Sequence, residues 1–281
     1  MFEDFSIGIM QGRLSNKPGM PLQSFPWNSW REEFSRASAI GFNQIEWLID
    51  GCNDDENPIA SVDGRKEILE ISTKYDISIK SLCAHSLIDG GLLDDSTNSI
   101  IAQNTFSKIL SWAFEINIEF IILPIMDAMS IQNNNSKEKL KKVLRKVVTN
   151  HGPTVLLESD LPAASLKQFI DEVALDNVKV LYDLGNATAM GFDIESELRL
   201  MHSIIGEVHI KDRFSDNGGS ERLGMADTPF HSAVEILREL SWSGSFILET
   251  PIFNNWKDEA EANFYFTRQL VNSASQNCKG G

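Results

Sequence analysis

Four apolar runs in the second half of the sequence stop at residues that bind metals. The runs are Leu156-Leu157-Glu158, Leu181-Tyr182-Asp183, Val208-His209-Ile210 and Leu248-Glu249-Thr250. The polar residues stand 25, 26 and 40 positions apart, close to the length of one strand-helix unit, a second, and a third with a long loop. If the runs are parallel neighbouring strands, Glu158, Asp183, His209 and Glu249 converge at one mouth. A single acid at a strand end is more often a helix cap. Four such residues at the same place in four consecutive units point to one metal site. Three carboxylates there would repel one another by on the order of several kcal/mol without a cation. Octahedral Mn²⁺ or Mg²⁺ would leave two positions for substrate oxygens, and Co²⁺ or Zn²⁺ also suits this donor set.

The elements that would carry these residues follow from periodicity. Strand-like runs start at Ile7, Gln44, Ile77, Phe120, Thr154, Val178, Glu207 and Ser245. Between them lie stretches with apolar residues at three-to-four spacing, such as Ile100, Ile101, Phe106, Ile109, Leu110, Ala113 and Phe114. The run Phe120 to Leu123 is continuously apolar, as a strand buried on both faces requires. Strict alternation implies a parallel sheet, and eight units in one chain of this length imply a (β/α)8 TIM barrel of α/β class, a single domain over residues 1–271. The polar tail 272–281 is expected to be disordered. A doubly wound open sheet is the alternative, but no GxGxxG follows any strand. Chemistry in such a barrel sits at the C-terminal ends of the strands.

The bulk numbers narrow the partners. Forty acids against 25 bases give a net charge of -15 over 281 residues. That balance disfavours nucleic acid and anionic membrane, since both need phosphate neutralisation. Cys52, Cys83 and Cys278 are odd in number, widely spaced and form no CxxC pair, which fits a reducing cytoplasm. The acids of Met1-Phe2-Glu3-Asp4 stand where a signal peptide needs bases, and no apolar run approaches the roughly 20 residues that span a bilayer.

Leu-Leu-Glu158-Ser, Tyr-Asp183-Leu-Gly-Asn186, Val-His209-Ile-Lys-Asp-Arg and Leu-Glu249-Thr-Pro together resemble the xylose isomerase-like TIM-barrel superfamily of sugar phosphate isomerases and epimerases. Met10-Gln11-Gly12-Arg13-Leu14 and Leu223-Gly224 add to the likeness, which covers nearly the whole chain. The resemblance implies one divalent metal, most often Mn²⁺, held by Glu158, Asp183, His209 and Glu249. It also implies a small carbohydrate substrate, with homo-oligomerisation left open. The phosphodiesterase branch of that superfamily carries extra histidines for a three-zinc cluster. Here Asn186 stands where that branch, and several ketose epimerases, have a histidine. Pro124-Ile125-Met126 and the loop Phe214 to Asp227 hold none either. The familial Leu-Gly-x-Gly loop reads Leu223-Gly224-Met225-Ala226.

The activity so implied is metal-dependent isomerisation or epimerisation of a ketose or sugar phosphate through a cis-enediolate. Glu158 and Glu249, three strands apart, would be the acid-base pair on opposite faces. Dehydration of a keto-inositol uses the same chemistry and is the rival reading, ahead of phosphodiester cleavage and of a non-catalytic sugar-binding barrel. His85, Lys211, Arg213, Arg13 and Glu46 are the candidates for holding substrate: His85 for a hydroxyl, Lys211 and Arg213 for an anionic or polyhydroxylated end. Glu46 could instead buttress Arg13, and Asp212 could cap the loop that follows it.

Overall fold

The computed structural model describes residues 5–273. Its strands are β1 (Ser6–Met10), β2 (Gln44–Ile49), β3 (Ser81–Ala84), β4 (Phe120–Ile125), β5 (Thr154–Ser159), β6 (Val178–Asp183), β7 (Ile205–Ile210) and β8 (Ser245–Leu248). The helices are α1 (Trp30–Ile40), α2 (Val62–Tyr75), α3 (Thr97–Glu115), α4 (Asn134–Val147), α5 (Ala163–Val173), α6 (Leu184–Ala189), α7 (Ile194–Met201), α8 (Phe230–Glu239) and α9 (Trp256–Ser273). The eight strands close into one barrel in the order β1-β8-β7-β6-β5-β4-β3-β2. This is the (β/α)8 TIM barrel that the alternation implies.

By internal packing the described residues fall into two compact units. One comprises the residues up to Ile45 and those from Tyr182 onward. Within it β1 pairs with β8, placing Ile9 beside Leu248, and β8 pairs with β7, placing Ile247 beside His209. Trp30, Phe34 and Ala37 of α1 are buried, and Phe42 meets the Phe264 ring edge-on at 4.9 Å. Burying one such large side chain contributes about 1.5–3 kcal/mol.

The other unit is Glu46–Leu181. There β2, β3, β4 and β5 pair in sequence, and β5 pairs with β6, Val155 beside Val178. Its core includes Trp47, Ile68, Phe106, Ile121, Leu144, Leu157 and Phe169, all 1% exposed or less. Trp47 donates its indole N–H to Asn57 Oδ1 at 2.9 Å, so this aromatic ring belongs to the core.

The structure departs from the sequence reading in several places. The third strand begins at Ser81, not at Ile77. Asp76 adopts left-handed backbone at the end of α2, Ile77 N–H bonds back to Ser72 O, and Ser72 Oγ donates to Ile77 O at 2.5 Å, so Ile77 closes the helix. The six-residue α6 and a two-stranded antiparallel ribbon of Asp212–Arg213 with Ser220–Glu221 carry too few residues to show a period. Asn272 and Ser273 continue α9; residues 274–281 of the expected tail lie outside the described residues. No helix among the described residues is long and apolar enough to cross a membrane.

Candidate metal centre

Alternation along each strand decides what faces the barrel interior. In β6 Tyr182 points outward and donates its hydroxyl to Glu197 of α7 at 2.9 Å, so Asp183 faces inward. In β7 the same rule puts Glu207 and His209 on one side and Val208 and Ile210 on the other. In the first compact unit, a polar layer lies along this interior. Ser245 Oγ donates to Gln44 Oε1 at 3.1 Å, and Gln44 Nε2 donates to Glu207 Oε2 at 3.1 Å. Neither Gln44 nor Glu207 stood out in the sequence, because a single polar residue in a strand carries no signature.

Glu158, Asp183, His209 and Glu249 are all buried, and each offers a ligand atom within 4.8 Å of those of the others. Ligands on opposite sides of an octahedral ion with bonds of about 2.1 Å stand about 4.2 Å apart. The four therefore fit around one divalent cation, and three carboxylates with one imidazole suit a hard ion. A second such group, Glu46, Glu207 and His209, shares the histidine. Among the described residues His85 joins neither group; it is half-buried and opens the single turn His85–Leu87 after β3.

Glu249 follows β8, its N–H bonded to Ile210 O at 3.1 Å. Its Oε1 accepts from Gln23 Nε2 and lies 3.9 Å from Arg13 Nη2. Its Oε2 lies 2.8 Å from Lys211 Nζ and 3.3 Å from His209 Nδ1. Asp183 caps α6, accepting the Asn186 N–H on Oδ1 at 2.7 Å, while Oδ2 meets Lys211 Nζ at 2.9 Å. The two acids thus share one ammonium, and their proton affinities separate. Burial raises the Asp183 carboxyl above its ordinary value despite Lys211. Burial also opposes ionisation of Glu249, but Lys211, the His209 bond and Arg13 outweigh it and hold that carboxyl well below the usual range.

The other candidates are anchored by visible contacts. Lys211 is buried against Asp183 and Glu249. Arg213 donates to Asn186 Oδ1 at 2.9 Å and to Gly218 O at 3.1 and 3.0 Å. Arg13 donates to Leu22 O, to Gln23 Oε1 at 2.9 Å and to Met10 Sδ at 3.3 Å. Gln23 was hidden in a loop whose composition says only that it is a loop. Gly185 has a packing reason: a Cβ there would lie 2.5 Å from Lys211 O. Only glycine lets the start of α6 come this close to the end of β7.

Asp212 is fully buried and caps its loop. Its Oδ2 accepts the N–H groups of Gly224, Met225 and Ala226 at 2.8–3.0 Å, and Oδ1 accepts that of Thr228 at 3.1 Å. Asp212→Ala strands these donors and should cost about 3 kcal/mol or more in urea unfolding. Amide exchange should rise most at residues 224–228.

Glu33, in the first turn of α1, fixes the loop after β1 in a similar way. Its carboxylate accepts from Gly12 N–H at 3.0 Å, Leu14 N–H at 3.2 Å and Ser15 Oγ at 2.5 Å. Burial nevertheless pushes its pKa from 4.5 up to about 7, those hydrogen bonds and Arg13 pulling the other way. A folded value above the unfolded one means stability that is complete below pH 4.5 and is lost as pH rises through about 7. The difference is about 3 kcal/mol. Glu33→Gln should remove that slope from unfolding measured between pH 5 and pH 8.

A family model described as xylose isomerase-like TIM barrel matches residues 34–270, and the chain belongs to that family. Its relatives include L-ribulose-5-phosphate 3-epimerase UlaE of Escherichia coli, 22% identical, covering 83% of this chain and 84% of the relative. Another is 2-epi-5-epi-valiolone 7-phosphate 2-epimerase of Actinoplanes sp., 23% identical over 72% of this chain and 75% of the relative. Relatives with these names make the chain an enzyme. Among solved structures, D-psicose 3-epimerase with D-tagatose from Clostridium cellulolyticum H10 superposes with a TM-score of 0.74 at 16% identity, over 95% of this chain and 99% of that one.

Proposed function

We propose that the chain is a divalent-metal-dependent epimerase of a ketose or ketose phosphate, acting by proton transfer next to the carbonyl through a cis-enediolate. The observation that carries the reading is the buried group Glu158, Asp183, His209 and Glu249, whose ligand atoms lie within 4.8 Å of one another. These four would hold one metal, with Mn²⁺ the first choice and Mg²⁺, Co²⁺ or Zn²⁺ also suited to the donors. When bound, the ion would polarise the substrate carbonyl and its neighbouring hydroxyl. Epimerases among the relatives support the class, and two of their substrates, as named, are phosphates.

The chain's own residues would do the rest. Glu158 and Glu249 come from strands three apart in the barrel order. One would take the proton from one face of the carbon while the other returns it on the opposite face. Lys211, Arg13 and Gln23 hold the Glu249 carboxylate in one orientation. Arg213, fixed by Asn186 and Gly218, is a directed cation for substrate oxygens. His85 and Glu46 complete the proposed set of substrate contacts. The cysteine usage supports a reducing, cytoplasmic setting for this activity.

The test is turnover of a panel of free and phosphorylated ketoses by the Mn²⁺-loaded protein, read by NMR. Accumulation of an epimer with no change in composition supports the proposal. Loss of water from a keto-inositol would replace it with the dehydratase reading. No turnover across the panel would contradict it.

A further inference from the structure

We infer that Lys211 is a built-in counter-ion of the candidate metal centre, competing with the divalent cation for Asp183 and Glu249 and so setting how tightly the chain holds its metal. The inference rests on the metal reading above. Lys211 Nζ lies 2.9 Å from Asp183 Oδ2 and 2.8 Å from Glu249 Oε2. The opposite oxygen of each carboxylate is engaged elsewhere: Asp183 Oδ1 by the Asn186 N–H, and Glu249 Oε1 by Gln23 and Arg13. The ammonium therefore faces the oxygens that coordination would most readily use. A divalent ion bonded there would sit a few Å from a second positive charge. All three side chains are buried, so water screens that repulsion poorly.

The backbone of Lys211 is not free to withdraw. Its carbonyl accepts from Thr228 Oγ1 at 3.3 Å, and the close approach of Gly185 confines it on another side. Any adjustment falls to the flexible four-carbon stem. The same ammonium neutralises buried carboxylates before metal arrives, since a buried acid that loses its partner is strongly destabilising. One residue thus stabilises the metal-free fold and weakens the grip on the metal. A lysine that merely oriented the ligands would do the opposite to affinity.

The two roles separate in calorimetric Mn²⁺ titration and thermal melting of the metal-stripped wild type, Lys211→Met and Lys211→Arg. Lys211→Met should bind Mn²⁺ at least about tenfold more tightly than wild type. Without metal its Tm should fall by several degrees, and Mn²⁺ should restore it. Lys211→Arg, which keeps the charge, should stay nearer the wild-type affinity than Lys211→Met. Lys211→Gln serves the same purpose as Lys211→Met if the latter does not fold. Affinity in the neutral variants equal to or weaker than wild type overturns the competition. In that case wild-type uptake of one Mn²⁺ leaves the metal reading standing. A wild type that takes up no Mn²⁺ overturns both.

Discussion

Exchanging Glu249 for glutamine should lower turnover on the true substrate by about a thousandfold, within the range that one positioned acid-base group supplies. The substitution keeps the side chain's size and one carbonyl oxygen, so packing around β8 should survive. What disappears is an acid whose charge is secured by Lys211, His209 and Arg13 against the cost of burial. Glu158→Gln should produce a loss of the same order, because proton transfer across two faces needs both groups. At Mn²⁺ concentrations high enough to offset the lost ligand charge, the two variants should differ in which epimer still exchanges its proton with solvent, since each retains the base on one face. Full turnover in both variants would remove the acid-base assignment.

Asp183→Asn should weaken divalent-metal binding by at least about a hundredfold and leave the fold nearly intact. The contrast follows from two jobs of this carboxyl, since Lys211 keeps its pairing with Glu249 when Asp183 is neutral. As the cap of α6 it accepts the Asn186 N–H on Oδ1, and asparagine caps a helix about as well as aspartate. As a proposed ligand it supplies a negative oxygen that an amide cannot match. Far-UV circular dichroism and urea unfolding of the metal-free protein should therefore change little, while calorimetric Mn²⁺ binding collapses. Retained affinity would exclude Asp183 from the metal's donors.

The barrel and the four-residue group were legible because both rest on repetition. Strand-helix alternation recurs eight times, and a ligand-type residue recurs at the same point in four consecutive units. Lys211 could be seen but not interpreted. Its position two residues after His209 puts it on the same side of the chain, yet nothing in the sequence distinguishes a lysine meeting substrate from one meeting Asp183 and Glu249. Glu33 was not legible, since an acid in a helix's first turn ordinarily complements the helix dipole in solvent. Its burial depends on how the loop after β1 folds over it. Gln23 reaches Glu249 from 226 residues away in sequence, a pairing that no local pattern records. Ile77 shows how alternation can mislead when a helix ending, rather than a sheet, uses a residue.

The most direct test of the central claim is solvent exchange. The Mn²⁺-loaded protein should be incubated in D₂O with the ketose or ketose phosphate that it turns over, and the products read by NMR. Proton transfer through an enediolate predicts deuterium at a single carbon next to the carbonyl in the epimerised product, with exchange abolished by metal removal. Epimerisation with the original hydrogen fully retained, or exchange undiminished in metal-stripped protein, would contradict it.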